Sequence, residues 1–220
     1  MARAIKDNKN VIQSYTLTTS RYKFTAYEKR ILYRIVEYAQ DEIKGIMIRD
    51  NLHKIEHSLF GREITMPIVD ILKDEQDENY TIAKKAFSSL SDKFIIIDND
   101  DIWQKTHIIS NPKIKKKTGM VTFSVFNEIW DGMLNFSKGY RKYELVTAMQ
   151  FNSVYSMRFY ELLSGQKRPL EFTFEQLREM LGVNNKYKLV GHFKTRVLDV
   201  AKKELDDISP YSVSYTHLTL

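Results

Sequence analysis

Asn79-Tyr-Thr-Ile-Ala-Lys-Lys-Ala-Phe-Ser-Ser-Leu90, followed closely by Phe94-Ile-Ile-Ile97, is the stretch whose reading decides the fold. At helical spacing Ala83, Ala86, Phe87 and Leu90 form one apolar stripe, while Thr81, Lys84, Lys85 and Ser88 face the other way. Asn79 stands where a capping residue belongs. The isoleucine run reads as a strand, with a second strand over 102–110 and a third, Met120-Val-Thr-Phe-Ser-Val-Phe126. Asn111-Pro-Lys-Ile-Lys-Lys-Lys-Thr-Gly119 is then the turn of an antiparallel hairpin, tipped by Lys113, Lys115, Lys116 and Lys117. Upstream, Arg62-Glu-Ile-Thr-Met-Pro67 reads as a short edge strand closed by proline, with a brief helix over 68–73. Thr25-Ala-Tyr-Glu28 has capping-box spacing before a helix ending near Gly45, whose apolar positions are Ile31, Leu32, Ile35, Val36 and Ala39. Lys29, Arg30, Arg34 and Glu37 fall among its intervening positions. Helix, short strand, helix, helix and hairpin is the order of a winged-helix domain.

After a linker-like patch at 135–141 the order begins again. A helix is expected over 153–163, a strand over 170–173, a short helix from Thr173 or Phe174 to Met180 that stops at Gly182, and a long helix from 187 or 188 to 206. On that last helix Val190, Phe193, Val197, Val200 and Ala201 share one side. Lys188, His192, Thr195, Arg196, Asp199, Lys202 and Lys203 share the other. Cations, a hydroxyl and an imidazole on the outer face of a helix that follows a short helix and a turn suit the major groove of DNA, where Arg or Lys pairs with guanine and Thr meets a base edge or phosphate. An ordinary solvated helix face is the alternative. The predicted fold class is α+β, tandem winged-helix domains over 10–137 and 138–212, helices with small antiparallel sheets.

Charge agrees with an acidic partner. The formal net charge is +6, from 34 Lys and Arg against 28 Asp and Glu. Residues 41–78 carry 10 acidic and 5 basic residues, whereas 138–203 carry 13 basic and 6 acidic, so the positive field belongs to the second half. Such a field favours a polyanion, because phosphate contacts release counterions.

Enzymatic readings find less support. The absence of cysteine excludes disulfides, thiol nucleophiles and cysteine-based zinc sites. No glycine-rich phosphate loop ending in Lys-Ser or Lys-Thr occurs. His53 and His57 have the spacing of two ligands on one helical turn, but Glu56 is misplaced for a zinc protease and no third ligand suggests itself. A rolling-circle nickase needs a His-hydrophobic-His pair beside a nucleophilic tyrosine; that pair is missing, and Tyr27, Tyr33, Tyr143, Tyr155 and Tyr160 read as amphipathic core residues. Asp98, Asp100 and Asp101 read as turn formers. No metal, cofactor or catalytic group is expected. The polar first ten residues and the lack of a stretch of ~20 apolar residues predict a cytoplasmic protein with no membrane contact.

Four runs resemble the iteron-binding plasmid replication initiators, the Rep proteins. They are Tyr80-Thr-Ile-Ala-Lys-Lys-Ala-Phe-Ser-Ser-Leu90, Val121-Thr-Phe-Ser-Val-Phe-Asn127, Ser153-Val-Tyr-Ser-Met-Arg-Phe-Tyr-Glu-Leu-Leu163 and Phe193-Lys-Thr-Arg-Val-Leu-Asp-Val-Ala-Lys-Lys-Glu-Leu205. The resemblance implies binding to direct repeats of double-stranded DNA at a bacterial plasmid origin, opening of the duplex, and recruitment of a host replication helicase or initiator. It further implies homodimers, formed through the N-terminal domain, that repress the protein's own gene. Carried over, His192, Thr195, Arg196 and Lys203 lie on the base-reading helix, with Lys84, Lys85 and Ser88 as N-terminal counterparts. The alternative within the same fold is a winged-helix transcriptional regulator with no part in replication. The last eight residues, Val213-Ser-Tyr-Thr-His-Leu-Thr-Leu220, stand where the family carries a second wing and resemble one reading frame of a sequencing-library adapter. The expectation is a non-native tail over 213–220 that packs poorly, with the natural C-terminus missing.

Overall fold

Ile64 and Met66 on one strand, and Val121, Phe123 and Val125 on another, are buried at every second position, as the pleat of a half-buried sheet requires. The computed structural model that contains them describes residues 9–14, 23–48, 50–73, 79–98, 103–134, 140–166, 170–211 and 214. The chain folds as two units, one of Arg30–Asn135 and one of Met1–Lys29 with Phe136–Leu220. In chain order the elements begin β1 (Asn10–Ser14), α1 (Ala26–Ile43), β2 (Lys54–Ser58), β3 (Gly61–Pro67), a 3₁₀ turn (Ile68–Ile71), α2 (Tyr80–Ser91), β4 (Phe94–Asp98), β5 (Trp103–His107), β6 (Ser110–Lys115), β7 (Met120–Phe126) and α3 (Asn127–Met133). They continue with β8 (Tyr140–Glu144), α4 (Leu145–Gln150), α5 (Val154–Leu163), α6 (Phe174–Met180), α7 (Val190–Phe193), a π-helical turn (Lys194–Leu198) and α8 (Asp199–Ile208).

Within Arg30–Asn135 the sheet order is β2-β3-β7-β6, all antiparallel. The strand expected at an edge is therefore central, flanked by β2, which the sequence reading did not anticipate. Pro67 is tolerated because it closes the strand, opposite Met120. Gly61 is required where β3 meets β7: a Cβ there would stand 2.1 Å from the Val125 carbonyl oxygen. Helix α2 packs on β6, with its Phe87 ring 5.5 Å from Phe123 of β7. Asn79 does occupy the N-cap of α2, but its side chain makes no capping hydrogen bond.

The strand expected over 102–110 is two strands. β5 pairs with β4 as a separate two-stranded ribbon, while β6 starts at Ser110 and pairs with β7. The break falls where Ile108 and Ile109 are both buried, which defeats strict alternation. A bulge between Ser110 and Lys113, with Asn111 at φ 50, then re-aims the chain. The hairpin turn is correspondingly shorter than expected. Lys113 and Lys115 lie in the strand, Lys116 and Lys117 in the turn, and Gly119 supplies its positive φ of 66.

Helix α1 departs from an ordinary amphipathic helix. The Thr25–Glu28 capping box forms, with Thr25 N donating to Glu28 Oε2 at 2.7 Å and Glu28 N to Thr25 Oγ1 at 3.3 Å. Yet Lys29, Arg30, Arg34 and Glu37, expected among its solvated positions, are all buried. The charges of Lys29, Arg34 and Glu37 are satisfied internally: Lys29 Nζ lies 2.5 Å from Glu161, and Arg34 donates to Glu37 at 2.8 Å and to the Asp70 carbonyl at 2.8 Å.

In the other unit β1 pairs with β8, which begins where the sequence reading placed a linker. Ser153 caps α5 and Thr173 with Gln176 forms a capping box on α6, which ends before Gly182 at φ 67. The strand expected over 170–173 is absent, because Thr173 serves as that cap and residues 171–173 are exposed without a strand partner among the described residues. Leu162, Leu177, Met180, Leu181, Val183, Phe193, Val197 and Leu198 form the core.

The last helix begins at Val190, later than expected, because Tyr187 has φ 50 and Leu189 is extended; Lys188 therefore lies in the approach to the helix and not on it. The π turn inserts one residue, so everything after it lags by about 100° relative to a regular helix. Leu198, Ala201 and Leu205 thereby line up with Phe193 and Val197 in the core, while Val200, expected inside, is 39% exposed. Among the described residues no strand follows α8; of the expected tail only Ser214 is described, and it is exposed.

Two stability predictions follow from these contacts. Leu198→Ala should cost roughly 2–4 kcal/mol in urea denaturation and Val200→Ser within about 0.5 kcal/mol, the reverse of what a regular α-helix would give. Arg34→Met should cost about 3 kcal/mol or more, since it strips a buried carboxylate of its partner, whereas Arg34→Met combined with Glu37→Leu should recover part of that loss.

Candidate nucleic-acid interface

Burial of Ala83, Ala86, Phe87 and Leu90 turns the opposite side of α2 outward, and Lys84, Lys85 and Ser88 are exposed there together with Thr81 and Ser89. The β6–β7 hairpin carries the next set. Lys113 and Lys115 are two apart and exposed on one face of β6, and Lys116 and Lys117 are exposed in the turn. Backbone N–H groups of Thr118 and Gly119 donate to the Lys115 carbonyl at 3.2 and 2.9 Å, which closes the tip. Because α2 packs on β6, these lysines belong to one helix and the hairpin beside it.

In the second unit the helix that follows α6 and its glycine turn presents His192, Thr195, Arg196 and Lys203 to solvent. Its outward residues are not chemically equivalent. Thr195 Oγ1 donates back to the Gly191 and His192 carbonyls at 3.1 and 3.4 Å, the usual use of a hydroxyl inside a helix. Lys202 is half-buried and pairs with Asp206 at 2.6 Å. Lys188 is exposed just ahead of the helix, next to Leu189 at 64% exposure. Arg196 and Lys203 make no ion pair among the described residues and so keep their charge available.

The residues set aside as enzymatic candidates have other employment. His53 and His57 do not share a helical turn: His57 is on β2 and His53 precedes it, with Nε2 2.6 Å from Asp70 Oδ2. Among the described residues no group of three His, Asp or Glu side chains is placed to hold a metal ion; Asp100 and Asp101, and the side chain of Asp98, lie outside them. Tyr33, Tyr143 and Tyr160 are buried. Burial pushes the Tyr143 phenol well up and raises that of Tyr160. Burial, with a hydrogen bond to Tyr187, pushes Tyr155 up to about 12, so all three stay protonated at neutral pH. No described helix is long and apolar enough to cross a membrane.

One surface escaped the sequence reading. Phe94, Ile96, Trp103, Lys105 and His107 are all exposed on the β4–β5 ribbon. The signal was the alternation of Trp103, Lys105 and His107 with Gln104 and Thr106, hidden while 102–110 was taken as one strand.

Residues 10–164 match the family model described as Initiator Replication protein, WH1, and residues 173–219 match Initiator Rep protein, WH2. Among solved structures, the fold is similar to the crystal structure of Pi initiator protein in complex with iteron DNA, with a TM-score of 0.69 over 93% of this chain and 88% of that one, at 15% sequence identity. With both models matched in order over most of its length, the chain belongs to the Rep family of replication initiator proteins, with a WH1 and a WH2 winged-helix domain in tandem.

Proposed function

We propose that this initiator binds direct repeats of double-stranded DNA at a bacterial plasmid origin, in the cytoplasm, and starts replication there without catalysing a reaction. The observation that carries this reading is the pairing of two outward basic helices, one in each unit, with a lysine-tipped hairpin beside the first. The iteron DNA held by the structurally similar Pi initiator supports it. In this reading Arg196, with His192 and Thr195, meets base edges. Lys84, Lys85 and Ser88 do so more weakly, and Lys113, Lys115, Lys116, Lys117, Lys188, Lys202 and Lys203 meet phosphates. A guanidinium can pair bidentately with guanine, whereas an ammonium acts as a point charge. Dimerisation through the N-terminal domain, repression of the protein's own gene and recruitment of a host replication helicase or initiator complete the proposal.

Titration against the tandem repeats flanking the gene tests it. Affinity should fall with salt by about 0.9 log units per log unit for each phosphate contacted. Arg196→Ala should cost about 1–3 kcal/mol and relax preference at one base position; uniform weakening across sequences would move Arg196 to the phosphate class. Lys116→Gln with Lys117→Gln should leave preference intact and flatten the salt slope by about two. Absence of any preference for the repeats over scrambled duplex would defeat the reading.

A further inference from the structure

Three cations from three separate stretches of the chain converge on one cavity of the second unit. It measures about 160 Å³ and lies between the start of α5, the turn that follows α6 and the residues just ahead of α1. Lys23, Arg158 and Lys186 line it, and no described residue of its lining is acidic. Phe24, Leu181 and Val183, all buried, supply apolar wall. Arg158, at 3% exposure, donates through Nη2 to the Met180 carbonyl at 2.8 Å, which fixes its guanidinium in that wall. Gly182 at φ 67 makes the turn, and Val183 N donates to the Arg178 carbonyl at 2.8 Å. Lys186 N donates to the Val183 carbonyl at 2.8 Å, and Arg178 Nη2 donates to the Asn184 and Lys186 carbonyls, so the backbone that carries the Lys186 side chain is held as well. Lys23 adjoins Phe24, whose burial anchors it.

Like charges brought to one cavity repel, and a buried guanidinium has lost most of its water. An anion seated among the three offsets both costs, because each cation then donates to its oxygens. Size and charge narrow the choice. Pockets for drug-sized ligands run to roughly 300–1,000 Å³, so this cavity suits a phosphate group with little attached. A phosphate monoester carries about −1.5 to −2 charge near neutral pH and has three strong acceptor oxygens, whereas a carboxylate offers one charge and two oxygens. We infer that the cavity is a binding site for the phosphate group of a small solute. A backbone phosphate of DNA has the same chemistry, but α5 packs on α8, whose Lys203 is turned to water, so a cavity beside α5 is set apart from the face assigned to the duplex. The inference goes beyond duplex recognition and uses none of the residues assigned to it.

Isothermal titration of inorganic phosphate into the full chain, free of DNA and at constant ionic strength, tests it. One phosphate per chain should bind saturably, and acetate should not. Lys23→Gln combined with Lys186→Gln should weaken phosphate at least about tenfold, as the loss of charge-assisted hydrogen bonds requires. Both lysines are exposed, so without phosphate that variant should unfold at the same temperature as the parent. Lys116→Gln combined with Lys117→Gln removes the same net charge away from the cavity and should leave phosphate affinity within about twofold. A chain saturated with the duplex repeats should still take up phosphate. Absence of saturable phosphate binding overturns the inference, as does an equal loss in the two double variants, which would make the attraction diffuse. So does exclusion of phosphate by the duplex together with weakened duplex binding in the Lys23, Lys186 variant, which would seat a DNA phosphate in the cavity.

Discussion

Arg34 is the constraint on which the Arg30–Asn135 unit depends. Burial works against its charge, but Glu37, Tyr38 and Asp70 outweigh that cost and hold the guanidinium above its ordinary range. Its Nε donates to the Asp70 carbonyl, so helix α1 fixes the 3₁₀ turn that carries Asp70. The Asp70 carboxylate in turn takes His53 at 2.6 Å, and Asp50 takes both the His53 backbone N–H and its ring, which sets the start of β2. The same 3₁₀ turn packs against α2, and Ile68 N donates to the Gly119 carbonyl at the base of the lysine-tipped hairpin. A charge buried in one helix thus determines where the outward lysines of a second helix and of the hairpin stand. Breaking a buried, multiply bonded cation costs several kcal/mol, because its partners are left without water or counter-charge.

That network explains what was and was not legible in the sequence. Periodicity found α1, α2, α5 and α6 and the strand β7 because each buries one stripe or one face, and the Thr25 capping box marked the start of α1. It misjudged Lys29, Arg30, Arg34 and Glu37, since helical spacing assigns a charged residue to water unless its partner is known. Glu161 for Lys29 and the Asp70 carbonyl for Arg34 lie far along the chain, although Glu37 is only three residues from Arg34. β2 went unread for a related reason: Lys54-Ile-Glu-His-Ser58 has almost no apolar content, and its strand character comes from pairing with β3.

The extra residue at Lys194–Leu198 is the other feature that local pattern could not supply. A regular helix would bury Val200 and turn Leu198 toward solvent; the core of the second unit requires Leu198, and the π turn satisfies it. The outward face was still read largely correctly at His192, Thr195, Arg196 and Lys203, because exposure on one side of the insertion and lag on the other leave those four in water. π turns often occur at functional sites, where the extra residue re-aims side chains at a modest cost in hydrogen-bond geometry. Here it separates Arg196, within the turn, from Lys203, a turn and more beyond it.

The two basic helices differ in kind, and in the proposed reading that difference divides their labour. Helix α2 offers lysines and serine, point charges and a short hydroxyl that fix a protein on a phosphate backbone without requiring a given base. The helix of the second unit offers an arginine and an imidazole, with the Thr195 hydroxyl already engaged by its own backbone and Lys202 by Asp206. Base discrimination therefore falls chiefly on Arg196 and His192. Lys203 and the lysines of α2 and the hairpin supply affinity that weakens with salt. The two helices are then unequal partners: losing the lysines of the first weakens binding with little change in preference, while losing Arg196 relaxes the preference at the base it reads.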